Sequence, residues 1–181
     1  MNPGTVSSID PAFLRAVRDG DEAALQQLHV DGTCAHFVDV DWREEDDAIV
    51  TLIAEAAGLD DLYADWDDDT LVITHGDSER RVPMQMDPAD RDTTIRAVNA
   101  LLQPQYEIRY FSLSAGSDTM GFCVLRASDW QIVEQSNPQL VADLFLKLDG
   151  LPNLIDELTI ASLPQGAQGA VERMIARNRQ R

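Results

Sequence analysis

The chain has 181 residues, 44% of them hydrophobic, and carries a formal net charge of −18 with a sequence pI near 4.2. That length suits one domain that buries its own core, and the apolar fraction argues against disorder. A negative field of this size repels phosphate, which disfavours nucleic acid and anionic membrane as partners and favours a basic protein.

The opening stretch, MNPGTVSSIDPAF, has no basic n-region and no apolar h-region, so no signal peptide is expected. Asp10-Pro11 reads as a helix cap followed by proline at the first helical position. Phe13, Leu14 and Val17 give that helix an apolar face, and Gly20 stops it. Asp21 opens a second helix with Ala24, Leu25 and Leu28 on one side, ending near Gly32. The pair is expected to form a helical hairpin over 10–31, packed on the main domain. Its rhythm is that of one ankyrin-type repeat, but it occurs once, and a stack needs about three copies.

Residues 33–42 alternate Cys34, His36, Val38, Val40 and Trp42 against Ala35, Phe37, Asp39 and Asp41, the period of a strand. Residues 43–58 read as a helix with acids in its first turn, Ile49, Leu52, Ile53 and Ala56 as its buried stripe, and Gly58 as its stop. The apolar run 48–59 within it is broken by Glu55 and too short to span a bilayer. Residues 62–66, 70–75 and 79–84 read as three strands joined by turns at Asp67-Asp68-Asp69 and 75–78. Asp87-Pro88 repeats the helix-start signal, with Ile95, Val98, Leu101 and Leu102 as the apolar face and Pro104 as the end. Residues 106–114 and 120–127 form a hairpin around AGSDT (115–119), and 129–135 and 138–148 read as helices. The segment 165–181 is basic, either a docked last helix or a tail. Strands in hairpins with helices between them predict an α+β fold, a mixed or antiparallel sheet packed with helices, in a single domain over 1–164.

No motif names a reaction. Calcium loops started at Asp39 or Asp65 fail the EF-hand template at positions 6 and 12. Cys34 and His36 are two soft ligands on one strand face, but His29, His75 and Cys123 lack zinc spacing. Two cysteines without a CxxC make no disulfide framework and fit a reducing, cytoplasmic setting. There is no GxSxG and no phosphate-cradling GK[ST] loop. No cofactor or metal is expected.

The acids are concentrated instead. From Asp39 to Asp69 there are 13 Asp or Glu and one base, Arg43. Asp39, Asp41, Glu44, Glu45, Asp46 and Asp47 precede or open one helix. Asp60, Asp61, Asp65, Asp67, Asp68 and Asp69 line a hairpin. Trp42, Trp66 and Tyr63 are embedded among them. Aromatic anchors ringed by charge are what a protein-binding surface uses, whereas a solvated acidic face over core tryptophans is the plainer alternative. The C-terminal Arg173, Arg177, Arg179 and Arg181 pair with this acid or dangle.

The stretch from Val82-Pro83 through DRDTTIRAVNALLQPQYEIRYF (90–111) to SDTMGFCVLRASDW (117–130) resembles small acidic bacterial immunity proteins of polymorphic-toxin and type VI secretion systems. The resemblance covers about fifty residues and assigns no residue a role. It implies a cytoplasmic, non-enzymatic protein that binds and blocks one cognate toxin, often a basic enzyme. Two alternatives stand beside it. One is an adaptor or chaperone for a secreted effector, using Leu140, Val141, Leu144, Phe145 and Leu148 as an apolar contact. The other is a carboxylate-dependent enzyme of unfamiliar type.

Overall fold

Local signals set the first elements. In the computed structural model, which describes residues 9–180, the Asp10 carboxylate accepts from the Ala12 and Phe13 N–H groups and starts helix α1 (Pro11–Asp19). Gly20, at φ +71°, ends it in the left-handed conformation that glycine adopts at least cost. Asp21 then caps helix α2 (Glu22–Val30). The first eight residues, and with them most of the stretch read for a signal peptide, lie outside the described residues, as does Arg181.

Two antiparallel sheets follow, which makes the fold α+β. The larger contains β1 (Phe37–Asp41), β5 (Tyr106–Phe111), β6 (Thr119–Arg126) and β7 (Phe145–Lys147) in the order β1-β6-β5-β7. The smaller is a meander of β2 (Leu62–Asp67), β3 (Thr70–His75) and β4 (Ser78–Pro83). Between them lie α3 (Asp46–Ala57) and α4 (Asp90–Leu102), which pack on strands of both sheets. The far face of the larger sheet carries α5 (Ala127–Ser136), and α1 and α6 (Pro138–Leu144) pack on α5.

This layering explains the sequence pattern of the central strands. In β6 every residue from Met120 to Leu125 is buried, so the alternation of a half-exposed strand is lost. Tyr110 and Phe122 meet edge to face, centroids 5.8 Å apart, on the face toward α3 and α4. On the opposite face Phe13, Phe37, Phe111, Trp130 and Phe145 form one aromatic cluster, with successive centroids 4.9–6.3 Å apart. Truncating any one of its phenylalanines should cost about 3–5 kcal/mol.

Three local readings change. Residues 138–148 are not one helix: α6 ends at Leu144 and β7 begins at Phe145, because the open edge of β5 takes Phe145–Lys147 as its partner and buries Phe145 and Leu146. Helix α4 starts at Asp90 rather than at Asp87-Pro88. The Asp87 carboxylate accepts from Ala89 N–H, and the Asp90 carboxylate accepts from Met86 and Asp87 N–H, so a turn precedes the helix. Strand β1 begins at Phe37, leaving Cys34 and His36 in the preceding turn.

The basic C-terminal segment folds as α7 (Gln165–Asn178), with Ala167, Ala170, Val171 and Met174 buried. Arg173 and Arg177 reach Glu22 of α2 at 3.1 and 2.9 Å. No helix among the described residues is long and apolar enough to cross a membrane.

Candidate functional site

The first acidic cluster is built where β1 stops. Asp41 accepts from the backbone N–H of Arg43 at 2.8 Å and from its Nε at 3.1 Å, which closes a tight turn. The turn turns Trp42 outward, 48% exposed, with the Arg43 guanidinium 5.2 Å over its ring. Hydrogen bonds from Arg43 hold the Asp41 carboxyl below the usual carboxylate range. Asp39 lies 2.6 Å from His29 Nε2.

Helix α3 opens next. Glu44 and Glu45 precede its first turn and Asp47 lies in it, near the helix end where the dipole favours acids, and none has a side-chain hydrogen bond or ion pair among the described residues. Asp46 departs from the expected partner-facing role. It is 4% exposed, accepts from Thr94 Oγ1 at 2.6 Å and Arg91 Nη1 at 3.2 Å, and so ties α3 to α4. Burial pushes its pKa up, although Thr94 and Arg91 oppose the shift.

The second cluster follows from helix and strand lengths. Helix α3 runs out, Gly58 turns the chain, and β2 runs back along it. Asp67, Asp68 and Asp69 therefore return toward the end where Glu44–Asp47 lie. Asp60 and Asp61 stay at the far end, roughly 20 Å away by strand rise, with Asp61 3.7 Å from His75. Tyr63, Asp65 and Asp67 share the outer face of the meander with Val72, Arg81 and Thr70, while Leu62, Leu71, Ile73 and Val82 face inward. Tyr63 is 51% exposed and Trp66 38%. Asp67 pairs with Arg81, and Asp69 accepts from Met84 N–H through its carbonyl at 2.9 Å. The carboxylates of Asp60, Asp65, Asp68 and Asp69 have no hydrogen bond or ion pair among the described residues. Trp42 is thus a surface residue, and Trp66, opposite Leu71 on the inward face of the meander, is still partly exposed.

Beside Trp42 lies a feature that sequence reasoning missed. A cavity of about 310 Å³ is lined by Trp42, Tyr110, Ser114, Asp118, Met120 and Leu154, among others. The AGSDT turn read simply as a hairpin connection. Only the strand register, which sets Asp41 opposite Thr119, brings Asp118 next to Trp42. Ser114 Oγ donates to the Phe111 carbonyl at 2.7 Å and accepts from Gly121 N–H at 2.8 Å, so the cavity floor is fixed. Its far wall is held by Asp92, which accepts from Leu154 N–H, and by Arg96, which donates to the Leu148 and Leu151 carbonyls.

The soft ligands are structural. Cys34 and Cys123 are buried free thiols; burial pushes Cys34 up to about 11 and Cys123 well above the usual thiol range, so neither is a thiolate at neutral pH. His36 Nε2 accepts from Asp10 N–H at 3.0 Å. Among the described residues no group of three or more His, Cys, Asp or Glu is placed to hold a metal ion.

No family model matches the chain, and neither a curated protein nor a solved structure matches it.

Proposed function

We propose that the protein is a cytoplasmic, immunity-type binding protein that inhibits a basic toxin by covering its electropositive site. With Trp66 exposed on the other face of the meander, the observation that carries this reading is the exposure of Trp42 and Tyr63 among carboxylates. Seven of these, Glu44, Glu45, Asp47, Asp60, Asp65, Asp68 and Asp69, lack a side-chain hydrogen bond or ion pair among the described residues. Unneutralised charge of one sign steers an oppositely charged protein, and exposed aromatics supply the area that holds it. A toxin whose substrate carries phosphate has a basic cleft that such a surface fits. The resemblance of 82–130 to immunity proteins supports the same reading.

The apolar side of 138–148 proposed for an adaptor is buried: Leu140, Val141, Leu144, Phe145 and Leu148 all belong to the core. Of the four buried carboxylates among the described residues, Asp46 ties two helices, Asp90 and Asp92 accept from backbone N–H groups, and Asp129 lies close enough to His36 for its charge to act there. The inhibitor reading is tested by tagged capture from cells that naturally make the protein, washed at low and then high salt. One basic protein in near-equal amount, released by salt, is the expected result. Capture of only acidic or neutral proteins, or of none, would count against it.

A further inference from the structure

We infer that the cavity beside Trp42 is a socket for one arginine side chain of the partner, and that Arg43, on the Trp42 ring outside the cavity, shows the contact such a guanidinium makes. This deepens the inhibitor reading and rests on it for the partner's identity, but the socket's chemistry is argued from its own residues. The Arg43 guanidinium already lies 5.2 Å over the Trp42 ring and 3.1 Å from the Asp41 carboxylate. That is the recognition an incoming guanidinium would use: an aromatic face with a carboxylate beside it.

The cavity supplies the rest. Its walls include Met120, Leu154, Ile155 and Leu158, which suit the three-methylene stem of arginine. Asp118 stands at the rim, exposed, with no hydrogen bond or ion pair among the described residues, and its charge is felt at Arg43. A volume of about 310 Å³, at the bottom of the range for small-molecule sites of about 300–1,000 Å³, has room for an arginine side chain.

The test needs no partner. The protein has three tryptophans, hence three indole N–H signals in a nitrogen-15 correlation spectrum, and Trp42→Phe identifies the one at the socket. N-acetyl-arginine methylamide is titrated against its neutral isostere, N-acetyl-citrulline methylamide. Arginine should shift the Trp42 signal saturably, at least about fivefold more tightly than citrulline. Asp118→Asn should weaken it about two- to fivefold, in the range of an exposed ion pair. Equal binding of citrulline, an equal response at Trp66, or affinity unmoved by Asp118→Asn would overturn the socket. If arginine fails here while capture returns a basic protein, the socket falls and the inhibitor reading stands. If arginine binds while capture returns none, the reverse holds.

Discussion

Gly121 shows how tightly single residues are constrained near the acidic surface. A methyl group there would meet His29 Nε2 at 2.7 Å and Ser114 Cβ at 3.2 Å, and His29 is the partner of Asp39. Gly121→Ala should therefore destabilise the protein by about 1–3 kcal/mol. The cost should shrink when His29 is Ala in the same molecule, which a double-mutant cycle of urea unfolding reads directly. His36 makes a pH prediction. Burial lowers its pKa below 6.5, with Asp10 and Asp129 opposing, and its Nε2 must stay unprotonated to accept from Asp10 N–H. The unfolded chain then binds a proton that the folded one resists. Stability should fall as pH drops below about 6.5 and level off below the folded pKa. His36→Gln keeps an acceptor and does not titrate, so the difference in unfolding free energy between it and the wild type should depend on pH over this window. A constant difference would contradict the assignment.

At the scale of elements, two carboxylates hold helices in place and should report in stability rather than binding. Asp46 joins α3 to α4. Asp46→Asn keeps an acceptor for Thr94 but loses the charge facing Arg91 and should cost about 1 kcal/mol, whereas Asp46→Ala also leaves the Thr94 hydroxyl without this acceptor and should cost about 2–3 kcal/mol in thermal or urea unfolding. Glu22 anchors α7. Burial pushes its pKa up, but the hydrogen bonds and charges of Arg173 and Arg177 outweigh this and leave it below 4.5. Its contribution is present above about pH 4.5 and lost as pH falls through the folded pKa. Glu22→Gln should cost about 1–2 kcal/mol at pH 7, discounted because Arg173 is half exposed, and should speed amide exchange in α7.

These elements were unequally legible in the sequence. The meander over 62–83 could be read from its period and turns because one face is wet and alternation survives. Strand β7 could not, since PQLVADLFLKL is locally a good helix and only the open edge of β5, far away in sequence, makes its end a strand. The acids and aromatics of the surface were visible as a cluster. Which of them face out was not: the Asp46 burial depends on Thr94 and Arg91, and the cavity depends on the register of β1 with β6.

The whole molecule carries −18, and that charge is kept at a cost in self-repulsion. Unpartnered acids at the start of α3 and along the meander concentrate the field at one side of the fold. The triple variant Glu44→Lys, Asp65→Lys, Asp69→Lys changes six units of charge there without touching a side-chain hydrogen bond or ion pair among the described residues. It should leave the melting temperature within a few degrees of wild type, because exposed charges contribute little to stability. The most direct measurement is the association rate constant of the captured partner against ionic strength, for wild type and this variant. The account predicts a fast wild-type rate that falls steeply with salt, and a rate for the variant slower by about tenfold or more at low salt with a flatter slope. Two indistinguishable curves would contradict the claim that this surface recognises a basic partner.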